Sequence, residues 1–204
     1  MVNITKIDVL ERKIKTPQEI RSILDKNSKF HGHKTAVLGG CFDLTHPGHL
    51  DLISRAKDYQ DSMKFSDDYY EQSQLFVIDT IIIALNSDIS VKILKGEKRP
   101  IINQSDRAFF LASLEYVDYV TIFDEPVIDD VLKTIKPDFF IKSDQYSYET
   151  LTDNERGIFK EYGITPLFLP FYNTYSTTHL INQVEANLKG LPCICSERLN
   201  LNPK

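Results

Sequence analysis

A chain of 204 residues with a formal charge of −5, from 24 Lys and Arg against 29 Asp and Glu, is long enough for one sizeable core and has no general attraction for a nucleic-acid backbone. Residues 1–15 are broken by Lys6, Asp8, Glu11, Arg12 and Lys13, and no apolar run approaches membrane-spanning length, so neither a secretory leader nor a membrane segment is expected. Three cysteines, Cys41, Cys193 and Cys195, cannot form an even disulfide framework, and Cys193 and Cys195 lack a second ligand pair; the expectation is a reducing, cytoplasmic setting with no metal held by the protein.

Thr16-Pro17-Gln18-Glu19 is a capping box with proline at the first helical position, which starts a helix running to about Leu24, ahead of a polar turn at 25–34. Ala36-Val37-Leu38 reads as a buried strand, Gly39-Gly40 as a tight turn, and Pro47 as the fixed-φ opening of a helix through Leu50, Leu52, Ile53 and Ala56. An acidic insertion at about 58–74 sets Asp61, Asp67, Asp68 and Glu71 against Lys64 with no apolar period. It is expected as a helix extension or mobile loop, leaving the sheet opposite the carboxyl ends of the strands.

The continuous β-branched run at 80–85 predicts a central strand buried on both faces. Strands at 119–123, 139–142 and 166–169 follow, separated by helices at 104–116, 126–135 and 153–162. Thr152 and Glu155 cap the last of these, Gly163 closes it, and Pro137 stops the one before. A final helix runs from Ser176 to Gly190. Right-handed crossovers make this an α/β protein, a Rossmann-like doubly wound parallel five-stranded sheet in a single domain over 1–190, with a tail at 191–204 and its site along the carboxyl ends of the strands.

Chemistry is concentrated where the first strand ends, in Gly39-Gly40-Cys41-Phe42-Asp43 and His46-Pro47-Gly48-His49. A strand, a glycine turn and a helix N-terminus direct backbone N–H groups and the positive end of the helix dipole at a phosphate. Two imidazoles three residues apart share one face of the first helical turn and can donate to the same phosphate; the dipole disfavours imidazolium, so both rings are expected neutral. Singly, such a histidine is a solvated residue or a cap, and Gly-Gly is only a turn. In the phrase Gly-Gly-Cys-Phe-Asp-Leu-Thr-His-Pro-Gly-His-Leu they resemble the signature of the cytidylyltransferase-like nucleotidyltransferases.

Four further stretches sit at predicted strand ends or helix starts. Asn86-Ser87-Asp88 suits a sugar hydroxyl or a helix cap. Lys92, Lys95 and Arg99 lie in a basic, glycine-containing segment that could fold over an anion or pass as an exposed loop. Arg107 follows Ser105, the expected cap of a helix whose Phe110, Leu111, Leu114 and Val117 face the core; its alternative use is a surface ion pair near Asp106 or Glu115. Lys142-Ser143-Asp144 ends the fourth strand, its lysine steering phosphate or snorkelling to solvent, and Ser176-Thr177-Thr178 opens the last helix as a phosphate site or an ordinary cap.

The order of these pieces, over roughly residues 15–187, resembles the heptose 1-phosphate adenylyltransferase branch of that family. The resemblance implies transfer of a nucleoside monophosphate from ATP to a sugar 1-phosphate with release of pyrophosphate, Mg2+ accompanying the triphosphate. It implies catalytic roles for His46, His49, Lys92 and Arg107. Nucleotide would be held by Gly39, Gly40, Cys41, Phe42, Asp43, Asn86, Asp88, Lys95, Lys142, Asp144, Ser176, Thr177 and Thr178. Expected partners are ATP, a small sugar phosphate and a second copy of the chain in a dimer, with no nucleic acid and no membrane. Relatives often carry a kinase domain upstream; none is expected ahead of Met1. Ser143 stands where the heptose enzymes often have glycine, Asn173-Thr174-Tyr175 precede Ser176, and the acidic insertion is long, departures that bear on substrate identity. The alternatives are a CTP-dependent enzyme acting on glycerol 3-phosphate or another polyol phosphate, and a non-catalytic ATP-binding module. Class I aminoacyl-tRNA synthetases use a similar histidine motif, but this chain has no room for tRNA-binding domains.

Overall fold

Five short segments rich in β-branched and aromatic side chains form one all-parallel sheet in the computed structural model, which describes residues 6–27, 32–59, 77–170 and 176–189. The strands β1 (Lys34–Gly40), β2 (Ile78–Asn86), β3 (Tyr119–Phe123), β4 (Phe139–Ser143) and β5 (Thr165–Leu169) lie in the order β3-β2-β1-β4-β5. Winding proceeds outward from β1 through β2 to β3, then crosses back to β4 and β5. The chain therefore reverses direction between β1 and β4, and a crevice opens there at the carboxyl ends. The run at 80–85 is interior and fully buried, as its composition requires, but the middle position belongs to β1, because both windings start beside it.

Alternate residues of β1 face opposite layers. Ala36 and Leu38 meet Ile53 and Ala56 of α3 (Pro47–Lys57) and Ala108, Leu111 and Ala112 of α5 (Gln104–Ala112). Val37 meets the other layer, where α2 (Pro17–Asn27), α6 (Asp129–Ile135) and α7 (Asp153–Tyr162) contribute Ile20, Leu24, Leu132, Ile135, Ile158 and Phe159.

The punctuation read from sequence recurs in the hydrogen bonds. The Thr16 N–H donates to Glu19 Oε2 at 2.8 Å and the Glu19 N–H to Thr16 Oγ1 at 3.2 Å, and α2 runs on to Asn27. Thr152 and Glu155 cap α7 in the same way, and Gly163 ends it at φ 69. Lys136 closes α6 in a left-handed conformation, φ 50, with its N–H bonded to Leu132 O, and Pro137 follows directly.

Other boundaries differ. The helix expected over 104–116 stops at Ala112 and is capped by Asn103, which accepts from the Asp106 N–H at 3.0 Å, rather than by Ser105; Phe110 is 46% exposed instead of facing the core. Two short helices were not read from the sequence: α1 (Lys6–Glu11) and α4 (Asp88–Lys95), in which Val91 is buried while Ile89, Ile93 and Leu94 remain exposed. The last helix is α8 (Thr177–Leu188). The acidic insertion lies outside the described residues apart from its first two positions, as do Asn173-Thr174-Tyr175 and the tail. Among the described residues no helix is long and apolar enough to cross a membrane.

Candidate active site

At the carboxyl end of β1 two glycines leave little room for a side chain. A Cβ on Gly39 would lie 2.7 Å from Ile128 Cδ1, and one on Gly40 would lie 3.0 Å from the Phe42 ring. Phe42 then takes a left-handed backbone, φ 44, which sharply redirects the chain and which a non-glycine residue adopts only when its surroundings hold it there.

His46 is the N-cap of α3, with extended backbone and Pro47 behind it in the first helical position. Its N–H donates to His49 Nδ1 at 3.4 Å, which leaves the proton of the neutral His49 ring on Nε2. The two rings stack, centroids 3.8 Å apart and 28° between planes, and the Phe42 ring leans on His49 at 4.9 Å. Burial, then the neighbouring His46, pushes the His49 pKa down to about 3, and burial lowers that of His46. Both rings are therefore neutral N–H donors at physiological pH. His49 opens onto a cavity of about 210 Å³ at the β1/β4 crevice, lined also by Gly39, Gly40, Phe42, Leu52 and Lys142, while His46 is 5% exposed beneath it.

Two buried charges hold the loops behind this cavity. Asp43, wholly buried, accepts from Arg99 Nε at 2.5 Å and from the N–H groups of Ile101 and Ile102 at 2.8 and 3.0 Å. Arg107, also buried, donates from Nε to Ile102 O at 2.9 Å, from one terminal nitrogen to Cys41 O and to Asn86 O at 2.9 Å, and from the other to Asp88 Oδ1 at 2.7 Å. The resemblance gives Asp43 to the nucleotide and Arg107 to catalysis; here both side chains are engaged with the protein. Four of the five N–H groups of the Arg107 guanidinium are spent on protein acceptors, and its ion pair is buried with Asp88 rather than on the surface with Asp106 or Glu115.

The remaining residues divide. Asn86 is buried, its amide donating to Ser90 Oγ at 2.9 Å, and the cap of α4 is Ser87, so of that triplet Asp88 alone is partly exposed and it is ion-paired. Cys41 sits half-buried in the turn, its thiol pKa raised chiefly by burial. Lys92 and Lys95 are exposed on the last turn of α4, a helix where a loop was expected. Lys142 lines the cavity but pairs with Glu155 at 2.6 Å and lies 4.9 Å over the Tyr146 ring, so it neither snorkels nor stands free. Asp144 is exposed, its N–H bonded to Leu169 O. Ser176 caps α8 by accepting from the His179 N–H at 3.1 Å; Thr178 is exposed; Thr177 Oγ1 reaches Leu44 O at 3.4 Å and so brings this helix N-terminus to the loop before α3. The sequence reading missed Tyr146 in the cavity wall and the part Arg99 plays against Asp43. Tyr146 follows β4 by only three residues, so its place at a strand's carboxyl end was the available signal.

A family model described as cytidylyltransferase-like matches residues 37–65 and 71–183. The bifunctional protein HldE of Aliarcobacter butzleri is 36% identical over 176 residues, covering 86% of this chain and 32% of that protein. The protein of the same name from Geobacter metallireducens is 33% identical over 174 residues, covering 85% and 31%. The chain thus spans about a third of the length of these curated relatives. Among solved structures, the pantoate-beta-alanine ligase of Francisella tularensis superposes with a TM-score of 0.53 at 16% identity, covering 86% of this chain and 76% of that one. A lipopolysaccharide core biosynthesis protein from Thermoplasma volcanium does so at 0.50 and 18%, covering 71% and 100%. At these identities the structural likeness is one of fold.

Proposed function

Because this chain belongs to the cytidylyltransferase-like family, we propose that it transfers adenylate from ATP to a sugar 1-phosphate of the heptose 1-phosphate kind, releasing pyrophosphate. The observation that carries this reading is the stacked, neutral histidine pair at the N-terminus of α3, beside a cavity at the point where the sheet reverses. The identity shared with the HldE proteins favours ATP and a heptose phosphate as the substrates to try first.

In the proposed reaction a phosphate oxygen of the sugar attacks the α-phosphorus of ATP in line. A P–O bond forms on one side as the bond to the leaving pyrophosphate breaks on the other, and no covalent enzyme intermediate is needed. The Nε2–H of His49 donates to a non-bridging oxygen as charge builds there, and the fixed potential of the α3 N-terminus adds to it. His46, packed beneath, holds His49 in the tautomer that donates. Ser176 and Thr178 present their hydroxyls at the start of α8, and Lys92 and Lys95 present exposed charges on α4, as phosphate contacts. Magnesium would enter with the triphosphate and neutralise it. The carboxylates nearest the turn, Asp43 and Asp88, already serve Arg99 and Arg107, so the phosphates themselves would supply most of the ion's ligands. A cytoplasmic location and a dimer complete the proposal.

The test is pyrophosphate release measured with ATP and CTP in parallel, across sugar 1-phosphates and glycerol 3-phosphate. ATP with a heptose 1-phosphate is the expected pair. Activity with CTP and a polyol phosphate alone would replace the nucleotide and acceptor, and ATP binding without release under any acceptor would leave only a binding module.

A further inference from the structure

We infer that Arg107 is a positioning residue which aims the Phe42 N–H at the triphosphate by holding the carbonyl of Cys41, and is not itself a phosphate ligand. The inference rests on the reading of this cleft as a triphosphate site. In a trans peptide the C=O of one residue and the N–H of the next point in opposite directions across a single plane. Arg107 takes Cys41 O and Asn86 O with one terminal nitrogen, so that oxygen is drawn toward the end of β2. The Phe42 N–H on the other edge of the plane consequently points away from β2, toward the β4 side, where Gly39, Gly40, Phe42 and His49 line the cavity.

The peptide would not hold this attitude by local preference, because Phe42 is left-handed and bulky. Its orientation is imposed from behind. Arg107 is itself fixed at both ends, by Asp88 on one terminal nitrogen and by Ile102 O on Nε. Ile102 in turn gives its N–H to Asp43, the residue after Phe42, and Arg99 closes the circuit on the same carboxylate. Turn and loop are thus clasped at two successive points, Cys41 O and the Asp43 side chain, on either side of Phe42. A guanidinium 1% exposed, with four N–H groups committed in this circuit, is built to orient other groups.

The deciding experiment is a titration of the uniformly ¹⁵N-labelled protein, first with ATP and magnesium, then with inorganic tripolyphosphate. The Phe42 amide proton is expected to move downfield by about 0.3 ppm or more, while the Arg107 Nε–H, buried and slow to exchange, stays in place. Asp88→Asn loosens the anchor without removing the guanidinium. In that variant the KM for ATP should rise about threefold or more, because a contact made to the bound triphosphate is weakened, and the Phe42 response should shrink while the Arg107 Nε–H still stays in place. A moving Arg107 signal beside a silent Phe42, or an Asp88→Asn protein whose KM for ATP and Phe42 response are both unchanged, overturns the inference. Silence of Phe42 toward both probes overturns it as well. A wild-type enzyme that releases pyrophosphate only from CTP would overturn the choice of nucleotide above, and leaves the tripolyphosphate result to decide the role of Arg107.

Discussion

His49 owes its usefulness to what its neighbours deny it. The His46 N–H claims Nδ1, and burial together with the second ring keeps the imidazole from charging until pH approaches about 3. The proton on Nε2 is then available as a hydrogen-bond donor throughout the physiological range, with no equilibrium to adjust. His49→Ala removes one preorganised donor and should lower turnover about a hundredfold or more with the fold retained, as compared by circular dichroism and pyrophosphate release. Titration of His49 should leave turnover level from pH 8 down to about pH 5. The same shift bears on stability. A histidine whose folded pKa lies below its ordinary 6.5 makes the unfolded chain the better proton acceptor between that value and about 3. The stabilisation is whole above pH 6.5 and is lost as the pH falls through this window. The melting temperature should therefore decline over it, and His49→Gln should flatten the decline. The histidine pair was legible from sequence because spacing on a helix's first turn fixes a common face. The buried places of Arg107 and Asp43 were not legible, because a charged side chain beside a loop looks the same in sequence whether it faces an anion or a ring of carbonyls.

Between elements, the glycine turn depends on how closely β1 approaches its neighbours. Gly39→Ala places a methyl 2.7 Å from the flexible tip of Ile128, just ahead of α6, and should cost about 1 kcal/mol or less. Ile128→Ala in the same chain should recover part of that cost, which a double-mutant cycle in urea would read as a favourable coupling. At the other end of the crevice Glu155 serves two elements at once, capping α7 through Thr152 and pairing with Lys142 of β4. Both side chains are under a fifth exposed, so Glu155→Gln strands a partly buried ammonium beside the cavity. The expected loss is about 1–3 kcal/mol in chemical denaturation, more than the cap alone is worth. The box at 152–155 could be read from four residues, whereas the ion pair joins positions thirteen apart on different elements and appears only once the sheet is assembled. α4 escaped notice for a related reason: it is only eight residues long, Val91 alone among its apolar side chains is buried, and a basic segment running into Gly96 reads locally as a loop.

Across the whole molecule, strand order does what no segment can do alone. Placing β4 beside β1, with β2 on its other flank, brings Lys142 and Tyr146 to the same cavity as His49, almost a hundred residues away in sequence. The alternation of apolar strands and capped helices already determined an α/β chain with a parallel sheet and a phosphate-directed turn after its first strand, since period, cap and turn chemistry are local properties. Tertiary structure alone decided which strand stands in the middle, which carboxylates are used up in holding loops, and which way the Cys41–Phe42 peptide faces. Those outcomes depend on burial and on partners distant in the chain, and the charge of a residue does not reveal the company it will keep.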